Sequence, residues 1–72
     1  MKRYFLMYDS DQTICGRKRH TGGNGNSIKI CKGYIRTIRK NEAQYNPRNF
    51  TIYDSFAEIE DTGFVPEVYH ED

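Results

Sequence analysis

Tryptophan is missing from this 72-residue chain, and cysteine, proline, methionine and histidine each occur only twice. No apolar run approaches the roughly 20 residues needed to cross a bilayer, so no membrane partner is expected. Two cysteines are too few for the disulfide-dense frameworks that hold small secreted domains together, which points to reduced thiols in a cytoplasmic setting. Cys15, Cys31, His20 and His70 would supply four zinc-ligand types. None of them is paired at the short spacing that holds two ligands close before the metal arrives, so no metal site is expected. Met1-Lys2-Arg3 leads directly into a strand-like segment and gives no export signal. The Gly-x-Ser-x-Gly elbow, the Walker pattern and the dinucleotide fingerprint are all absent. His20 lies in a glycine- and asparagine-rich stretch and His70 within the last three residues, poor places to hold a general base. Neither catalysis nor a bound cofactor is expected.

Bulky hydrophobes are also scarce. Leu, Ile, Val and Phe together number fourteen, close to the composition at which chains stop folding. The net charge of +1 argues for a folded state, because disordered chains usually combine weak hydrophobicity with strong self-repulsion. Six tyrosines and four phenylalanines imply a small, tyrosine-dependent core. The length leaves room for one domain over residues 1–72.

The charge is unevenly spread. Residues 1–48 hold all eleven Lys and Arg against Asp9, Asp11 and Glu42, a net of +8, and residues 49–72 hold seven acids and no base, a net of −7. Such asymmetry points to an anionic partner, or to two halves that neutralise each other. Eight cations fall between residues 17 and 40 with no acid among them: Arg17, Lys18, Arg19, Lys29, Lys32, Arg36, Arg39 and Lys40. A stripe of this kind releases counterions when it meets a phosphate backbone. Tyr34 flanks it as a ring on which a base could stack. The acids Asp54, Glu58, Glu60, Asp61 and Glu67, interleaved with Phe56, Phe64 and Tyr69, suggest the alternative: a negative ridge with aromatic anchors, Tyr69 among them, facing a basic groove on a protein.

Along the chain, residues 2–8 read as a central strand covered on both faces. Asp9-Ser10-Asp11-Gln12 reads as a turn and Thr13-Ile14-Cys15 as a returning strand. Residues 17–26, with three glycines and two asparagines, read as a flexible basic loop. Ser27 is a good N-cap. From Ile28 to Tyr45, the spacing of Ile28, Cys31, Ile35, Ile38 and Tyr45 predicts an amphipathic helix ending before Asn46-Pro47. Gly33 inside it costs about 1 kcal/mol against Ala, and its missing side chain would permit a close approach. Phe50 and Ile52 alternate with Thr51 and Tyr53 in a half-buried strand, and Phe64–Tyr69 reads as a last strand at a sheet edge because of Pro66. The order β-β-α-β-β describes an α+β domain, one antiparallel or mixed sheet with a single helix packed on it.

The runs Asn46-Pro47-Arg48-Asn49-Phe50-Thr51-Ile52-Tyr53-Asp54 and Val65-Pro66-Glu67-Val68-Tyr69 resemble those of small proteins encoded by phages and prophages. In size and charge pattern the chain is similar to phage inhibitors of bacterial defence, including anti-CRISPR proteins. That resemblance implies a non-catalytic protein in the cytoplasm of a bacterial host, inhibiting a nucleoprotein defence complex by occluding its surface. The partner would be a host protein or nucleoprotein, with DNA or RNA contact through the basic face. A nucleic-acid-binding accessory protein is the other reading. No residue roles follow from the resemblance, because such inhibitors share no single fold or motif.

Overall fold

The computed structural model describes residues 2–57 and 63–72. Its elements are β1 (Tyr4–Ile14), β2 (Arg17–Gly25), α1 (Ile28–Asn41), a 3-10 turn (Ala43–Tyr45), β3 (Arg48–Asp54) and β4 (Glu67–Glu71). The strands form one sheet in the order β2-β1-β3-β4 with every neighbouring pair antiparallel, and α1 packs on one face of it. The architecture is the expected α+β arrangement.

The first hairpin differs from the sequence reading. β1 does not reverse at Asp9–Gln12. Ser10 Oγ accepts from the Gln12 amide at 3.3 Å, a local side-chain turn, and the surplus residues are absorbed as an irregularity between the Asp9–Arg19 and Ile14–Arg17 pairs. The chain reverses instead at Cys15 and Gly16, whose φ angles are 53° and 76°. Two consecutive positive φ values are what a tight two-residue hairpin requires.

The segment read as a flexible loop, residues 17–26, supplies the edge strand β2 in its place. Its glycines are there because α1 lies directly on them. A Cβ at Gly22 would stand 3.0 Å from Ile38 Cδ1, one at Gly23 2.9 Å from the Tyr34 ring and one at Gly25 2.6 Å from Ile30 Cγ2. Gly22 is also the unpaired residue of a bulge between the Leu6–Gly23 and Met7–Thr21 pairs, and Gly23 has a φ of 129°.

Period-two alternation puts Leu6 and Tyr8 of β1 and Phe50 and Ile52 of β3 under the helix, where they meet Cys31, Ile35 and Ile38. The Tyr8 ring stacks on Phe50 with centroids 5.5 Å apart. Among the described residues no second layer of helix or strand covers the opposite face of β1, which was read as covered on both faces. That face carries Phe5 and Met7, with Phe5 stacked on Tyr53 at 5.1 Å. α1 is shorter than its apolar periodicity suggests. It ends at Asn41, and Tyr45 lies in the following 3-10 turn, which closes at Asn46 in the left-handed region. At the other end Ser27 Oγ caps α1 by accepting from the Ile30 amide at 3.2 Å.

Candidate nucleic-acid interface

Position around α1 decides what each of its cations does. At about 100° per residue, Arg39 and Lys32 flank the buried stripe, whereas Arg36, Lys29 and Lys40 turn towards solvent. The first two are spent inside the fold. The Lys32 ammonium lies 4.2 Å from the centre of the Tyr69 ring. The Arg39 guanidinium covers Phe50 at 4.8 Å, pairs with the Glu71 carboxylate at 3.4 Å and donates to the Asp72 carbonyl. Arg19 on β2 is likewise engaged. It pairs with Asp9 at 3.0 Å and donates to the Tyr53 hydroxyl at 3.3 Å. The Asn49 amide, 2.7 Å from Asp9, is the chief cause that holds the Asp9 carboxyl below its usual range, with Arg19 adding to it against the opposing effect of burial.

Five of the eight cations read from the sequence face outward. Arg17, Lys18, Lys29, Arg36 and Lys40 are all exposed, and among the described residues none has a hydrogen-bond, ion-pair or ring partner. On α1 the row from Lys29 through Arg36 to Lys40 spans about 16 Å at a rise of about 1.5 Å per residue. The helix runs back along β2. Cys31 lies over Gly25, Tyr34 over Gly23 and Ile38 over Gly22, and Glu42 reaches Tyr8, whose ring adjoins His20. The C-terminal end of the row therefore lies at the same end of the molecule as Arg17 and Lys18.

The two aromatic candidates are held within the fold. Tyr34 lies against Gly23 and its hydroxyl donates to the Asn24 carbonyl at 2.9 Å. Tyr69 packs against the core, and its hydroxyl donates to Glu71 at 2.7 Å. Neither offers the free ring that base stacking requires.

The acidic ridge is also reduced. Asp54 is only 4% exposed and accepts two bonds from the Arg3 guanidinium, at 2.9 and 2.8 Å. That guanidinium is the main reason the Asp54 carboxyl is held below the ordinary carboxylate range, helped by the Phe56 amide. Asp54 is a structural anchor here and no part of a surface ridge. Glu67 is exposed, 3.5 Å from a ring nitrogen of His70. Glu58, Glu60 and Asp61 lie outside the described residues.

Sequence reasoning missed the Arg3–Asp54 clamp and the bond from the Tyr8 hydroxyl to the Glu42 carboxylate. Their partners are 51 and 34 residues apart, and nothing local signals either. Cys15 is exposed at the hairpin tip and Cys31 is buried, and among the described residues no three His, Cys, Asp or Glu side chains gather as a metal site would require. No helix among them is long and apolar enough to cross a membrane. No protein-family model matches the chain, and no curated protein or solved structure matches it.

Proposed function

We propose that the protein is a non-catalytic binding module that holds the phosphate backbone of a nucleic acid on the outer face of α1 and the start of β2. The observation that carries this reading is the set of five outward cations, Arg17, Lys18, Lys29, Arg36 and Lys40, without partners among the described residues. A cation answered within the fold has already exchanged its counterion for a protein group. One left in solvent is free to make that exchange with a phosphate. The resemblance to small phage-encoded inhibitors supplies the setting: the guide or target strand of a host nucleoprotein defence complex, occluded in the bacterial cytoplasm. A surface role, with no reaction centre, is supported by what the displaced titrating groups do. Asp9, Asp54 and Tyr8 are each bonded to a partner that ties two elements of the fold together. The acidic alternative has less behind it, because Asp54 is consumed by Arg3.

Two double charge reversals test the reading. Lys29→Glu with Arg36→Glu removes binding to DNA or RNA and leaves the thermal unfolding midpoint where it was. Lys32→Glu with Arg39→Glu lowers that midpoint, because it places carboxylates against Tyr69 and beside Glu71. Binding that survives the first pair would sink the reading.

A further inference from the structure

Gly33 sits in the middle of α1, where glycine weakens a helix more than any residue but proline. The other glycines have a cause inside the chain: each is either at a positive φ or has a neighbouring atom closer than 3.0 Å to where its Cβ would be. Gly33 has neither. Its φ is not in the left-handed region, and a Cβ built there meets nothing within 4 Å. The missing side chain therefore makes no room for another part of this protein.

It makes room on the outside, in the middle of the unpaired cations. Lys29 and Arg36 are the helical neighbours of Gly33 at i−4 and i+3, and Lys40 lies two turns on. All three fall within about 60° of it around the helix axis. Thr37, at i+4, turns its hydroxyl back to donate to the Gly33 carbonyl at 3.2 Å, so that carbonyl is already occupied. The result is a patch of bare helix backbone beside the cationic row, with Lys29 a turn before it and Arg36 and Lys40 after it along the axis. Close approach of a backbone to a ligand is a standing use of glycine.

We infer that Gly33 is the seat of the phosphodiester backbone of a bound nucleic acid, the strand lying against the bare turn of α1 while Lys29, Arg36 and Lys40 contact successive phosphates. The row's length of about 16 Å is enough for its three cations to meet more than one phosphate of a strand lying along it. The inference rests on the nucleic-acid reading above and adds a position that carries no charge. Its removal is therefore separable from electrostatics.

The test measures binding of a labelled mixed-sequence DNA duplex, and of its single strand, at low salt by the native chain, Gly33→Ala, Gly33→Leu and the control Asn41→Leu. Gly33→Leu keeps every cation and lifts the strand away from the helix, and it weakens binding about tenfold, the size of one or two lost phosphate contacts. Gly33→Ala weakens binding less, while raising the melting temperature by about 4–8 °C, because the helix is better without glycine. Asn41→Leu, which places the same leucine side chain off the row, leaves binding unchanged. Binding by Gly33→Leu within about twofold of the native chain would overturn this inference and leave the reading of the cations standing. Native protein that binds neither probe overturns both. Should leucine lower the melting temperature, alanine decides: a more stable variant that binds as tightly as the native chain overturns the inference.

Discussion

Gly22 sets how closely α1 lies on the sheet. A methyl there would stand 2.7 Å from Leu6 Cδ2 and 3.0 Å from Ile38 Cδ1, both on buried residues with nowhere to retreat. Gly22→Ala therefore destabilises by about 1–3 kcal/mol, the range for overpacking a closed core, as read from denaturant unfolding. Gly33→Ala has the opposite sign, so one substitution made at two positions separates glycines that serve packing from the one that does not. Tyr8 sets a different kind of limit. Burial first, and then the bond to Glu42, push its phenol up to about 12, against about 10 in an unfolded chain. The neutral phenol is the form the fold prefers. Its contribution is thus complete below about pH 10 and is lost as the pH rises through about 12. Stability measured across that window falls in the native chain, and Tyr8→Phe flattens the fall. An unchanged alkaline limb in Tyr8→Phe would contradict the assignment.

Whether an element was legible in the sequence depended on where its shape comes from. α1 was readable because Ile28, Cys31, Ile35 and Ile38 repeat at the helical spacing, and because Ser27 offers a hydroxyl where the first amides lack partners. Ser27→Ala is expected to cost about 1 kcal/mol by loss of that cap, measured by urea unfolding. β3 was readable from strict alternation, Phe50 and Ile52 inward against Thr51 and Tyr53. β2 was not readable, because its glycines answer to a helix that follows it in sequence and lies on it in space. Seen locally, Gly22-Gly23-Asn24-Gly25 has the composition of a loop. Only the packing of Tyr34 and Ile38 explains it as a strand. The hairpin was misplaced for a related reason: Ser10 does make a side-chain turn, but the reversal falls at Cys15, a residue type with no reputation for positive φ. The final strand, read over Phe64–Tyr69 and assigned to an edge because of Pro66, is an edge strand but is shifted: β4 runs Glu67–Glu71, so Pro66 precedes it instead of lying within it.

Over the whole molecule, the charge split is partly settled inside the fold and partly left to solvent. The sequence shows +8 against −7 across residue 48, and folding brings Arg39 to Glu71 and Asp72, and Arg3 to Asp54. Which cations stay free was not legible: the sequence reading placed Lys32 and Arg39 on the same face as Lys29, Arg36 and Lys40, and only the packing of β4 against α1 engages the first two, while the partner of Arg19 depends on hairpin register. The Arg3–Asp54 pair joins the start of β1 to the end of β3. Because Arg3 depresses the Asp54 pKa, the pair contributes fully above the ordinary carboxylate range, near 3.8. That contribution is lost as the pH falls through the lower folded value. Arg3→Met raises the pH of acid unfolding, followed by circular dichroism, and no shift would mean that the clamp carries little weight.

The central claim is that the outward cations of α1 and β2 make phosphate contacts, and a salt titration of binding to short DNA and RNA tests it most directly. Five such contacts predict an affinity that falls with salt on a log–log slope of about −3 to −5. Replacing Lys29, Arg36 and Lys40 together by alanine brings the slope down by about 3 units, one per contact. No binding at low salt, or a slope unchanged by the triple replacement, would contradict the account and leave the positive charge without a nucleic-acid role.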